Sequence, residues 1–271
     1  MIVLLTNDDG VFAPGLAAMT EAAAAAFAPQ GEVYVAAPDH NCSGNSHHLN
    51  MIDPISVSEV AVPGAARAWA VGGTPADCVR LAVSTLLPRR PDVVISGINL
   101  GDNLSTDCLY SGTVGAAMEG LLMDLPALAV SVYTEKVQNA SDAVRFAPDG
   151  DTFAGAAALG VRLVRWLMKN GRPMALNLNV PLGTEGLPPL RVVPIDRVRR
   201  YRGDHYTCTE ENGRKIYRFV GAPCDKEDPS ADIAAVEQGF AALTPLTPFW
   251  TDTAALEWLR QLAADGTFAE N

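Results

Sequence analysis

The chain has 271 residues, 48% of them hydrophobic, and a formal net charge of −11. The apolar share rules out a disordered polymer, and the length suits one α/β domain with an elaboration. The acidic balance repels a nucleic-acid backbone, so a polymer partner is not expected, and no stretch approaches the apolar run of a membrane span.

Ile2 to Thr6 reads as a buried strand, followed by an alanine-rich helix over Gly15 to Phe27 and a second strand over Glu32 to Ala37. Thr74-Pro75 is a helix start, with Thr as N-cap and Pro at the first helical position, and the helix is expected to reach about Leu87. Asp92 to Ser96 is a third buried strand. Thr113 to Met123 is a helix, Ala127 to Tyr133 a strand, Asp151 to Lys169 a helix and Met174 to Val180 a strand. Strands alternating with helices predict βαβ units, and continuous apolar runs predict strands covered on both faces. Together they give an α/β class with a doubly wound, mostly parallel sheet.

After about Pro181 the rhythm changes. Short β-like pieces, Arg191 to Ile195 and Lys215 to Val220, flank a polar segment from Tyr201 to Gly213, and Thr251 to Ala264 closes the chain as a helix. Residues 182–271 are therefore expected to extend a 1–181 core, within a single 1–271 domain, by a β-hairpin or arm and a terminal helix.

The five cysteines, Cys42, Cys78, Cys108, Cys208 and Cys224, are scattered and contain no Cys-x-x-Cys pair, which fits reduced thiols. Met1 to Leu5 runs at once into Asn7-Asp8-Asp9, with no basic n-region and no small-residue cleavage site, so a cytoplasmic location is expected. Arg197, Arg199, Arg200 and Arg202, with Arg191 upstream, read as a solvated face or an interface element.

Three polar clusters follow strands. Asn7-Asp8-Asp9-Gly10 ends the first; two adjacent carboxylates repel each other, and a cation between them relieves the repulsion. Hard oxygen donors there suit Mg²⁺, Mn²⁺ or Ca²⁺. Standing alone, Asp-Asp-Gly is more often a polar turn in which glycine supplies a positive φ. The second cluster runs from Ser96-Gly97-Ile98-Asn99 through Leu100-Gly101-Asp102-Asn103 and Asp107 to Tyr110-Ser111-Gly112-Thr113-Val114-Gly115. Glycines beside hydroxyls at a helix start offer N–H groups to an anion, although an ordinary loop with a Thr113 cap fits the same residues. It is neither a Walker loop nor a Gly-x-Gly-x-x-Gly dinucleotide turn. The third is Ala37-Pro38-Asp39-His40-Asn41-Cys42-Ser43-Gly44; the nearby His47-His48 pair reads as structural or surface histidine because no spaced third ligand accompanies it.

These clusters, with Ala13-Pro14-Gly15, Gly73-Thr74-Pro75-Ala76-Asp77-Cys78-Val79 and Ala116-Ala117-Met118-Glu119-Gly120, resemble in order the survival protein SurE family of 5′(3′)-nucleotidases. The similarity runs from Met1 to about Pro181, with a weaker tail match at Asp232 and Leu243-Thr244-Pro245-Leu246. The resemblance implies a Rossmann-like core, one divalent metal held by Asp8, Asp9, Ser43 and Asn99, and a phosphate cradle from Asn99, Ser111, Gly112 and Thr113. It further implies a nucleoside monophosphate substrate and a homodimer or homotetramer. Phe12, the Tyr201 to Arg214 segment and Ser230-Ala231-Asp232 depart from the family pattern and bear on substrate preference and assembly.

Phosphate-monoester hydrolysis needs neutralised equatorial oxygens and a water in line with the leaving group. Asp8 and Asp9 are the expected catalytic pair, as metal holders and as the group that orients the water, which favours direct water attack over an aspartyl-phosphate route. A metal-dependent nucleoside hydrolase and a non-catalytic nucleotide-binding regulator use similar parts, and the Ser111-Gly112-Thr113 turn favours phosphate chemistry over the former.

Overall fold

Ile2–Thr6 (β1) is buried along its whole length because its side chains alternate between two apolar layers. Val3 and Leu5 pack with Leu16, Met19 and Phe27, whereas Ile2 and Leu4 pack with Cys78, Val79 and Val114. Each fully buried side chain of this size contributes roughly 1.5–3 kcal/mol. The computed structural model describes residues 1–133, 152–182, 186–198, 206–219, 228–249 and 251–264.

β1 pairs in parallel with β2 (Glu32–Pro38) on one side and with β5 (Val93–Leu100) on the other. Beyond β2 come parallel β4 (Arg67–Val71) and antiparallel β3 (Val57–Val60). Beyond β5 come β6 (Ala127–Tyr133) and β7 (Ala175–Pro181), both parallel. β11 (Ala241–Leu246) then runs antiparallel to β7, and β8 (Leu190–Val192) parallel to β11. The result is a nine-stranded sheet in the order β3-β4-β2-β1-β5-β6-β7-β11-β8. Helices α1 (Pro14–Phe27) and α4 (Ala154–Asn170) cover one face, and α2 (Pro75–Leu81) and α3 (Gly112–Leu122) the other. A short α5 (Asp232–Glu237) precedes β11, and α6 (Thr253–Ala264) follows it. The mostly parallel α/β architecture is the one that the strand and helix alternation predicts.

Several elements differ from expectation. Thr74 does cap α2, in a reciprocal capping box with Asp77, but the α-helix stops at Leu81 and one wide π turn, Ala82–Leu86, completes it. α3 is capped by Ser111, whose hydroxyl accepts from Val114 N, and Thr113 lies inside the helix. β3, β4 and β11 had no counterpart in the pattern. Part of the polar segment, Tyr206–Glu211 (β9), pairs with Arg214–Phe219 (β10) across Asn212-Gly213, both in the left-handed region that a tight hairpin turn requires. Arg199, Arg200 and Arg202, residues 201–205 and Cys224 lie outside the described residues. Among the described residues the cysteines are free thiols.

Candidate active site

From β1 the chain builds outward through β2 and β4, then returns to build β5, β6 and β7 on the opposite side. This reversal makes a crevice at the carboxyl ends of β1 and β5, the usual ligand position in an open α/β sheet. Asn7-Asp8-Asp9-Gly10 leaves β1 into it. Asn7 closes the turn, its Nδ2 donating to Gly10 O at 2.9 Å and its Oδ1 accepting from Gly10 N at 3.3 Å. Gly10 has φ +109°, which a side chain would strain.

Asp8 is buried, and its carboxylate rests on the N-terminus of α3. Thr113 N donates to Oδ2 at 3.1 Å and Thr113 Oγ1 donates to Oδ1 at 2.5 Å. Unpaired N–H groups and the positive end of the helix dipole make such a terminus a seat for negative charge. Gly112 permits the approach, since a Cβ there would stand 2.8 Å from Asp8 Cβ and 3.1 Å from its Oδ2. Burial pushes the Asp8 carboxyl up, against the hydrogen bonds from Thr113 and Gly112. Asp9 is half-buried and receives one long hydrogen bond, from Leu100 N to Oδ2 at 3.4 Å. Burial, and then the charge of Asp8, push its carboxyl up to about 7.

Asn99 is near the end of β5, next to Leu100; its Nδ2 donates to Gly101 O at 2.8 Å, which leaves Oδ1 as the atom able to ligate a cation. Ser43 is exposed and follows Cys42, whose amide donates to Asp8 O at 2.7 Å. Ser111 is buried at the head of α3. The structure therefore gathers Asp8, Asp9, Asn99, Ser111, Gly112 and Thr113 at one crevice, with the Ser43 loop tied to the Asp8 backbone. One detail departs from the cradle expected from sequence: the Thr113 amide and hydroxyl are engaged by the Asp8 carboxylate.

Among the described residues no group of three or more His, Cys, Asp or Glu is placed to hold a metal. The set here is of another kind, two carboxylates with neutral amide and hydroxyl oxygens, which are the hard donors that Mg²⁺, Mn²⁺ and Ca²⁺ take. Burial first and the charge of Asp8 second raise Asp9, and a cation between the two carboxylates would relieve the repulsive part, so the residues fit such an ion. Pattern reading missed the Leu100 amide, because a backbone donor leaves no residue signature. It also missed the partner of His47, which pairs with Glu119 at 2.8 Å.

A family model described as Survival protein SurE matches residues 3–203. A protein of Chloroflexus aggregans named 5′-nucleotidase SurE is 41% identical over 268 residues, 97% of this chain and 98% of that protein. One of the same name from Aeromonas hydrophila is 40% identical over 256 residues, covering 91% of this chain and 92% of its own. The crystal structure of the SurE protein from Aquifex aeolicus superposes with a TM-score of 0.76 at 31% identity, covering 97% of this chain and 100% of that one. Motif order, sheet architecture and near full-length identity agree: the chain belongs to the survival protein SurE family.

Proposed function

We propose that this chain is a divalent-metal-dependent phosphatase that hydrolyses nucleoside 5′-monophosphates to nucleoside and phosphate, with 3′-monophosphates as a second class to assay. The observation that carries the reading is the carboxylate pair at the switch-point crevice, one member fixed on a helix N-terminus and the other nearly free of hydrogen bonds. The relatives named 5′-nucleotidase support the substrate class. Asp8, Asp9, Asn99 and Ser43 would hold the ion, Mg²⁺ or Mn²⁺. Bound there, it supplies Lewis acidity and charge neutralisation toward the phosphoryl oxygens.

The protein groups divide the remaining work. Thr113 and Gly112 hold Asp8 rigid, so the site is ordered before substrate arrives. Asp9, held by one long hydrogen bond, is the carboxylate free to orient the attacking water and take its proton. The Ser111 hydroxyl, which accepts from Val114 N, keeps its own O–H to donate to a phosphoryl oxygen. Phosphate release from a nucleotide panel, with EDTA and after Mg²⁺ or Mn²⁺ is restored, tests the reading. Phosphate that disappears with EDTA and returns with metal is expected. Release of free base would favour a nucleoside hydrolase, and binding without turnover a regulator.

Assembly and location belong to the same proposal. Every residue of β9 is exposed, Tyr206 and Tyr217 on the hairpin are 65% and 60% exposed, and a lone two-stranded hairpin is marginal in water. The hairpin would gain burial against a second copy, so a homodimer or homotetramer is expected. A monomer mass by light scattering at micromolar concentration would refute it. No helix among the described residues is long and apolar enough to cross a membrane, and the scattered free thiols support a cytoplasmic location.

A further inference from the structure

One buried charge has no part in the reaction proposed above. Glu119, on α3, is fully buried and takes two partners from outside that helix, the His47 ring at Nε2, 2.8 Å away, and the Arg80 guanidinium at Nη2, 2.5 Å away. Burial works against its charge, yet the His47 hydrogen bond and the Arg80 guanidinium hold the carboxyl below its ordinary value. A buried carboxylate is costly unless well paired, so its position draws both partners toward it.

What His47 belongs to gives this pairing its consequence. Residues 41–50 contain neither helix nor strand, so side chains and single backbone bonds set their path. Cys42 N donates to Asp8 O at 2.7 Å and Ser46 N to Tyr110 O at 2.9 Å. Ser46 Oγ donates to Leu109 O at 2.6 Å, Thr74 Oγ1 to His48 O at 2.5 Å, and Asn50 N to Asp77 Oδ1 at 3.0 Å. The loop touches α3 backbone to backbone, for a Cβ on Gly115 would come within 2.7 Å of Ser46 O. His47 is the one side chain of the described loop that reaches into a buried ion pair, and Ser43 stands four residues before it.

We propose that His47 and Glu119 are positioning residues for the crevice: Glu119 anchors His47, His47 anchors the 41–50 loop, and the loop presents Ser43 to Asp8 and Asp9. Arg80 is the second partner of Glu119. This rests on the reading of Ser43 as a metal ligand, and supports around a metal site commonly tune affinity 10–100-fold.

The test uses the full chain as wild type, His47→Ala, His47→Gln and Glu119→Gln. His47→Gln keeps an N–H donor near the reach of Nε2. Three readouts are taken: hydrogen exchange of the 41–50 amides, Mn²⁺ affinity from the electron paramagnetic resonance of free Mn²⁺, and kcat and KM for a nucleotide. In His47→Ala the loop amides should exchange faster and Mn²⁺ affinity should fall about tenfold. The melting temperature should fall modestly, because Glu119 keeps Arg80 but loses one of its two partners, and the His47 side chain is itself 32% exposed. His47→Gln should restore most of both. Glu119→Gln should behave as His47→Ala if it folds; if it does not, the histidine pair decides alone. Wild-type exchange and Mn²⁺ affinity in His47→Ala overturn the proposal, and so does a loss that His47→Gln fails to restore. A wild-type chain that binds no Mn²⁺ sinks the metal reading instead, and the exchange data then judge the anchoring on their own.

Discussion

Asp8→Asn and Asp9→Asn are each expected to cut phosphate release by at least about a hundredfold with the fold intact, since changes to mere supports of a metal already cost 10–100-fold. An amide presents one oxygen and no charge, so one carboxylate must then neutralise a dication with only the uncharged oxygens of Asn99 and Ser43 beside it. Asp9→Asn should also raise the stability of the EDTA-treated chain. The Asp9 carboxyl titrates near 7 in the folded chain against an ordinary 3.8, so the folded state binds the extra proton between those values. Stability is therefore lost as pH rises from about 4 through 7. Asparagine does not titrate, and the variant escapes that loss. Its melting temperature should exceed wild type by several degrees at pH 8 and by less at pH 5, each kcal/mol being worth roughly 2–4 °C at this size. Saturating Mn²⁺ should reverse the ranking, because only wild type binds it well. Near-normal turnover of both variants at saturating metal would dismiss the site, and a pH-independent gain would dismiss the titration.

Gly112→Val should be nearly as damaging by a different route. Even a bare Cβ at position 112 would meet Asp8 Cβ at 2.8 Å, Asp8 Oδ2 at 3.1 Å and Pro75 Cγ at 3.2 Å. Valine adds two branched carbons and forces Asp8 off the Thr113 amide. A misplacement near 1 Å costs roughly a hundredfold in rate. Thr113→Ala is the milder form. It removes one hydrogen bond to a charged group, about 1.5–3 kcal/mol, or roughly ten- to a hundredfold. Because Thr113 donates to Asp8, its loss should appear in metal affinity as well as in kcat. A crystal soaked in phosphate should place the anion beyond Asp8, next to Ser111. Full activity in Gly112→Val would reduce this turn to a helix cap.

The doubly wound core could be read locally because strands covered on both faces leave an unbroken apolar run, and helix starts such as Thr74-Pro75 leave a cap. β3, β4 and β11 left neither. β3 is largely exposed at the sheet edge, and β4 is stabilised by Trp69 stacking on Tyr34 of β2, a contact that no local pattern records. β11 contains Pro245, which reads as a strand breaker; it is tolerated because β8 pairs with residues 241–243 and, among the described residues, leaves that position without a strand partner on its side.

The crevice divides in the same way. Sequence by itself determined which residues are present at the strand ends, because paired aspartates after a strand and a glycine-rich helix start carry their chemistry wherever they fold. The tertiary structure alone decided how they are used. Thr113 meets Asp8 across 105 residues and His47 meets Glu119 across 72. At such separations partners are chosen by strand order and helix packing, and no local spacing encodes that a helix terminus will hold a carboxylate of its own chain before it holds a phosphate.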